Sequence, residues 1–175
     1  MCTVIGGNFP ALKEQEISLI KDLFLQSKIR GKHATGISYV DNGAVVTIKQ
    51  PIPASDFIHN LQLERFLGKN FSFVGHCRYS TSDLEYNQPI SNDKLSIVHN
   101  GVITQEPFEK WESLFNFVDF KTKNDSELIF KCHEKNEHPL INFPLGSMAV
   151  CGLTPEQLGN HSCFDARCPL ATRGN

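Results

Sequence analysis

Apolar positions along the chain change period several times. Residues 3–9 read as a short strand that runs into a turn at Asn8 to Pro10. Residues 11–28 then take a helical period, with Ile17, Ile20, Phe24 and Lys28 on one side, Leu23 beside them, and a stop near Arg30-Gly31. Residues 37–40 and 44–49 are strand-like, and Asp41-Asn42-Gly43 between them predicts a hairpin, because Asn and Gly tolerate the positive φ of a tight turn. The pattern further predicts a short helix over 57–67, a strand over 71–76, a polar loop over 77–93 and a strand over 95–99. Beyond these come a helix over 108–115, a short strand over 118–121, a helix over 125–134 and an apolar strand over 145–153. Paired strands with helices between the pairs predict an α+β fold of layers over a shared core, not a strictly alternating parallel sheet. After Thr154 periodicity fades, which divides the chain into a domain over 1–154 and an irregular tail over 155–175.

Composition narrows the function. Lys plus Arg number 17 against 19 Asp plus Glu, and the basic residues are scattered, so nothing favours nucleic acid or an anionic membrane as a partner. No apolar run is long enough to cross a bilayer, and residues 1–7 lack the features of a secretory signal, so the protein is expected to be cytoplasmic. Six cysteines, Cys2, Cys77, Cys132, Cys151, Cys163 and Cys168, are then expected to be reduced. Their spacing, with His133 and His161, fits no standard zinc pattern; neither a metal nor a cofactor is expected.

Candidate chemistry begins at Cys2. Removal of Met1 would leave one residue with a free α-amine, reference pKa about 7.7–8.0, beside a thiol of about 8.5. The amine can take the thiol proton, so nucleophile and base come together. In Gly75-His76-Cys77-Arg78-Tyr79-Ser80-Thr81-Ser82 a strand delivers Arg78 to a polar loop, and its planar fork suits a carboxylate. Asn100-Gly101 is by itself a turn signal; its amide and backbone N–H are also a donor pair suited to an oxyanion. Asp125 opens a helix, as a capping acid or as the partner of a substrate ammonium. Gly31 and Gly36, around Arg30 and Ile37, permit close backbone approach.

Each element is weak alone, but their order is specific. Cys2, Arg30-Gly31 with Gly36-Ile37, Gly75-His76-x-Arg78-Tyr79-x-Thr81, Asn87-Gln88-Pro89, His99-Asn100-Gly101 and Asn124-Asp125-Ser126-Glu127 together resemble the glutaminase domain of class II glutamine amidotransferases. The resemblance covers about residues 2–150. It implies a four-layer α/β/β/α sandwich of two antiparallel sheets, the N-terminal nucleophile hydrolase fold. It also implies roles: Cys2 as nucleophile with its α-amine as base, Asn100 and Gly101 as the oxyanion hole, Arg78 on the α-carboxylate of L-glutamine and Asp125 on its α-ammonium. Thr81 falls in the substrate-covering loop and Arg30 at a supporting position. Tyr79 and Ser82 depart from the Trp and His of some members, which bears on closure of that loop. The domain is short for the family, so either residues 163–175 replace the final strands or the last layer is trimmed.

No synthase-like segment is legible in the 175 residues, so the ammonia is expected to pass to a separate synthetase protein. Two other readings share the motifs: a γ-glutamyl amide hydrolase with no ammonia acceptor, and a catalytically inactive regulatory subunit.

Overall fold

The computed structural model describes residues 2–79 and 87–155 with their side chains and residues 161–167 as backbone. Among these residues eight strands form two sheets. In the first, β1 (Thr3–Phe9), β2 (Ala34–Asp41), β3 (Ala44–Gln50) and β4 (Phe71–Arg78) lie in the order β1-β4-β2-β3. In the second, β5 (Ile90–Ser91), β6 (Ser96–Val102), β7 (Ser147–Pro155) and β8 (His161–Arg167) follow chain order. All neighbours are antiparallel. The helices are α1 (Glu14–Ser27), α2 (Ala54–Phe57), α3 (Trp111–Phe115), α4 (Ser126–Glu134) and α5 (Pro139–Asn142).

Three apolar layers hold these elements together. Ile17, Ile20 and Phe24 of α1 pack on Ile37, Phe71 and Phe73 of the first sheet. Each such buried side chain contributes about 1.5–3 kcal/mol. Leu128, Ile129 and Cys132 of α4 pack on Ile97 and Val150 of the second sheet. Val4, Val40, Val74, Val98, Cys151 and Leu153 meet between the sheets. Helix, sheet, sheet and helix are thus stacked as four layers, as expected for the fold class.

The gap between the sheets is not wholly apolar. The Ser38 and Thr47 hydroxyls are 2.6 Å apart, Thr47 and Ser91 2.8 Å, and Ser96 donates to Ser38 at 2.7 Å. These hydroxyls satisfy one another across the two sheets, so burial leaves none of the four without a partner.

Several local expectations hold closely. The β2–β3 turn has Asn42 at φ 50° and Gly43 at φ 78°, the left-handed pair of a tight hairpin. In α1 the buried stripe is Ile17, Ile20, Phe24 and Ser27; Ser27 takes the place expected of Lys28, which is exposed like Leu23, and Glu16 accepts from the Lys13 N–H at 2.7 Å at the helix entry.

Others change. Residues 57–67 are not one helix: α2 gives way to 3-10 turns at Ile58–Asn60 and Leu63–Phe66. Leu63 follows Leu61 by two positions, about 200° round a helix, and the break lets both be buried. Residues 118–121 are not a strand, and Asp119 has φ 59°. The Lys121 and Thr122 N–H groups donate to the Glu127 carboxylate at 2.8 and 2.6 Å instead of to a neighbouring strand. Of the loop expected over 77–93, residues 77–78 belong to β4, Ile90–Ser91 pairs with β6, and residues 80–86 lie outside the described residues. Residues 161–167, where composition predicts irregular chain, pair with β7 from Ala149 to Pro155.

Candidate active site

Strand alternation brings the candidate residues to one place. Val4, Val74 and Val98 point into the gap between the sheets. Cys2, Arg78 and Asn100 stand two, four and two residues from them, all even offsets, so their side chains point to the same side of their strands. Register sets the level: Thr3 pairs with Cys77, which places Cys2 beside the end of β4, and Ala34 pairs with Arg78. The Cys2 backbone nitrogen donates to Asn100 Oδ1 at 3.3 Å, joining residues 98 positions apart and bridging the two sheets. The Cys2 Sγ lies 3.9 Å from the Tyr79 carbonyl oxygen. With Met1 attached, that nitrogen is a peptide N–H; it stands where the α-amine of a processed chain would sit.

Asn100-Gly101 is not a turn. β6 continues through it, with Asn100 opposite Ala149 and Gly101 opposite Met148. Gly101 has φ 152°, and a Cβ there would lie 1.8 Å from the Ser147 carbonyl oxygen. Glycine is therefore required by conformation and by space, one residue before the β6–β7 pairing ends.

Asp125 occupies the N-cap position of α4, but its side chain makes no cap hydrogen bond. Its Oδ2 accepts from the Ile103 N–H at 2.7 Å, three residues beyond Asn100. Local capping is done by Asn124, whose Oδ1 accepts from the Ser126 N–H at 3.1 Å. Arg30 is exposed at the end of α1, and its neighbour Gly31 packs against the β4 end: a Cβ at Gly31 would lie 2.1 Å from the Cys77 carbonyl oxygen. The His33 N–H donates to the Arg78 carbonyl at 3.0 Å, pinning the same strand end. Thr81 and Ser82 lie outside the described residues.

Three groups stood in the sequence motifs without a role assigned to them. Gln88 is buried, and its amide brackets the His99 backbone, donating to the carbonyl at 3.0 Å and accepting from the N–H. His99 faces α4, with Nδ1 2.8 Å from the Ser126 hydroxyl. Burial lowers the pKa of His99, opposed by Asp125 and the Ser147 backbone. The sequence signal for Gln88 was its place in Asn87-Gln88-Pro89; nothing local announced its partner.

His76 is the third. It points into the gap behind Arg78, 1% exposed, and neither ring nitrogen makes a hydrogen bond of good geometry. Burial pushes its pKa down from 6.5 to about 3, with the Arg78 and then the His99 charges adding to the shift and the His99 backbone opposing it. The unfolded chain therefore binds a proton near pH 6.5 that the folded chain refuses until about pH 3. Stability must fall as pH drops through that window, at about 1.4 kcal/mol per pH unit. We expect His76→Gln to remove a loss of about 3 kcal/mol between pH 6.5 and 4. Urea midpoints measured across that range check this, and equal pH slopes for the two proteins would refute it.

A cavity of about 650 Å³ opens beside Leu95 and Thr154, lined also by Lys94, His133 and Glu134. Leu95 is five residues from Asn100, about 16 Å along an extended strand. The buried thiols of Cys77 and Cys132 are pushed up to about 12 and about 11, burial being the main cause, which suits packing and not attack. No helix among the described residues is long and apolar enough to cross a membrane, and no group of three His, Cys, Asp or Glu among them could hold a metal ion.

Comparison with known proteins places the architecture. No family model matches the sequence, and no curated protein matches it. Solved structures do match, and two illustrate the likeness. The glutamine phosphoribosylpyrophosphate amidotransferase of B. subtilis, complexed with ADP and GMP, superposes with a TM-score of 0.62 at 22% identity, covering 87% of this chain and 35% of that one. The allosteric regulatory enzyme of purine biosynthesis superposes with a TM-score of 0.61 at 21% identity, covering 86% of this chain and 35% of that one. The chain thus spans about a third of the length of these proteins, and it shares with that third its fold, two antiparallel sheets stacked between helices.

Proposed function

We propose that the protein is a glutaminase of the class II amidotransferase type, which releases ammonia from L-glutamine through a Cys2 thioester. The observation that carries this reading is the Cys2–Asn100 hydrogen bond at 3.3 Å, at the end of a gap into which Arg78 also points. Removal of Met1 turns the Cys2 nitrogen into an amine. The amine takes the thiol proton, and sulfur attacks the side-chain amide carbon of glutamine. Charge develops on the amide oxygen, where the Asn100 side-chain NH₂ and the Gly101 N–H serve as donors. The amine returns its proton to the departing nitrogen, ammonia leaves, and a γ-glutamyl thioester remains. Water then attacks the thioester, releases glutamate and restores the thiol.

Arg78 and Asp125 read the other end of the substrate. Arg78 pairs with the α-carboxylate through its planar fork. Asp125 accepts from the α-ammonium; a carboxylate offers about four acceptor sites, and the Ile103 N–H uses one. A substrate lacking either charge leaves a partner unpaired, which gives sharp discrimination. Thr81 belongs to the loop that covers the ligand, and Arg30 supports the nucleophile's surroundings. The ammonia passes to a separate synthetase protein docked over the pocket. Cys2, Cys77 and Cys132 form no disulfide, which fits a reducing compartment and supports placement in the cytoplasm; recovery of the protein from an oxidising compartment would overturn that placement.

Intact-mass measurement before and after treatment with 6-diazo-5-oxo-norleucine tests the core of the proposal. The expected product lacks Met1 and carries one adduct on Cys2. Retained Met1, or a processed chain that stays unlabelled, would sink it. In the same preparation, a stable complex from native extract that raises ammonia release supports the synthetase partner, and its absence counts against that part alone.

A further inference from the structure

The segment Asn87–Pro89 leads into β5, and it is buried although it is irregular. Buried irregular backbone needs partners for its carbonyls. Here one side chain supplies them. Lys49 Nζ donates to the Asn87 carbonyl at 2.9 Å and to the Pro89 carbonyl at 3.1 Å. Lys49 sits on β3 directly opposite Gly36 of β2. Gly36 leaves the space that the segment fills: a Cβ there would lie 2.3 Å from the Gln88 carbonyl oxygen and 2.7 Å from Pro89 Cδ. The segment is thus laid flat against β2 and fastened by the β3 ammonium.

What this fastens is Gln88. Its amide brackets the peptide groups of His99, the residue before Asn100. Its Nε2 also donates to the Ser126 hydroxyl at 3.0 Å, the residue after Asp125. One side chain therefore ties together the strand that carries Asn100 and the helix start that carries Asp125.

We propose that Lys49 is a positioning residue, which by seating Gln88 sets the placement of Asn100 relative to Asp125. The role of these two residues in catalysis rests on the glutaminase reading above; the mechanical link does not. Although Lys49 as a residue is solvent-exposed, burial of its ammonium lowers its pKa, opposed by the Glu127 charge, so the two carbonyls replace much of its water. A merely solvated strand lysine would show neither feature.

The test uses the full, Met1-processed chain with Lys49→Met, which keeps the stem and loses the donors, and Lys49→Arg, which keeps charge and donors. Hydrogen exchange of the His99 amide, held by Gln88, is expected to quicken roughly tenfold in K49M and to return towards wild type in K49R. Amides in the α1-facing core, such as those of Phe71 and Phe73, should keep their wild-type rates. With glutamine, kcat should fall roughly tenfold while KM rises in K49M, since both Asn100 and Asp125 lose their seat. His99 exchange unchanged in K49M, or quickened equally with the Phe71 and Phe73 amides, would overturn the proposal. A wild-type chain inert to glutamine would sink the glutaminase reading, and the exchange measurement, which needs no substrate, would still decide this one.

Discussion

Replacing Cys2 with alanine is expected to lower glutamine-dependent ammonia release on the order of 10⁶-fold, the scale on which removal of a nucleophile acts in covalent hydrolases. The fold should survive. Cys2 is partly exposed and precedes β1, and its Sγ lies at the long distance of 3.9 Å from the Tyr79 carbonyl oxygen, so a change in stability within about 1 kcal/mol is expected. A permanent extension in front of Cys2 should abolish activity just as fully with the thiol intact. An amide nitrogen has no basic lone pair to take the thiol proton, whereas a primary amine has. Steady-state ammonia assays on the two proteins, with urea melts alongside, check both statements. An alanine variant that retains more than about a hundredth of the wild-type rate would show that another group attacks.

The second large effect is expected at Gly101. Gly101→Ala places a methyl group 1.8 Å from the Ser147 carbonyl oxygen, on a residue with φ 152°. Neither atom sits at the end of a flexible side chain, so β6 and β7 must part at this level. Overpacking of this kind costs about 1–3 kcal/mol, and the unfavourable φ adds to it, so a loss of about 3 kcal/mol or more is expected. The adjacent Asn100 moves with its strand. A displacement near 1 Å at a reacting group costs about 10²-fold in rate, so the residual folded fraction should also be slow. Denaturation curves and rates per folded molecule separate the two effects. A variant within about 0.5 kcal/mol of wild type and equally active would show that the strand pair absorbs the methyl group without moving.

Much of the fold was legible because its signals are local. Asp41-Asn42-Gly43 specifies its hairpin through backbone preference, and the Ile17, Ile20, Phe24 spacing specifies the buried face of α1. The errors fall where a distant partner outvotes local preference. Residues 118–121 have a strand's composition, but the Glu127 carboxylate takes their N–H groups. Asn100-Gly101 has a turn's composition, but β7 pairs with it on through Val102. The tail at 161–167 lacks periodicity of its own and becomes a strand by pairing with β7. The candidate site shows the same division. Cys2, Arg78 and Asn100 stood out through motif order, yet their meeting depends on strand register that no single motif contains. Gln88 was legible only as a member of Asn87-Gln88-Pro89, and Lys49 not at all, because their part lies in carbonyls and N–H groups that every residue possesses.

The even spacing that aims Cys2, Arg78 and Asn100 into one gap also limits how this chain can change in length. Adding or deleting a single residue between Cys2 and Val4, between Val74 and Arg78, or between Val98 and Asn100 turns the outer residue away from the gap while the valine stays seated. A two-residue change restores the direction but moves that residue by about 7 Å, beyond hydrogen-bond reach. Side chains in these three stretches can be exchanged one at a time; their residue count cannot. Insertions should therefore be tolerated at the Asn42-Gly43 hairpin tip, and refused in the few peptide units between the shared core and the mouth of the site.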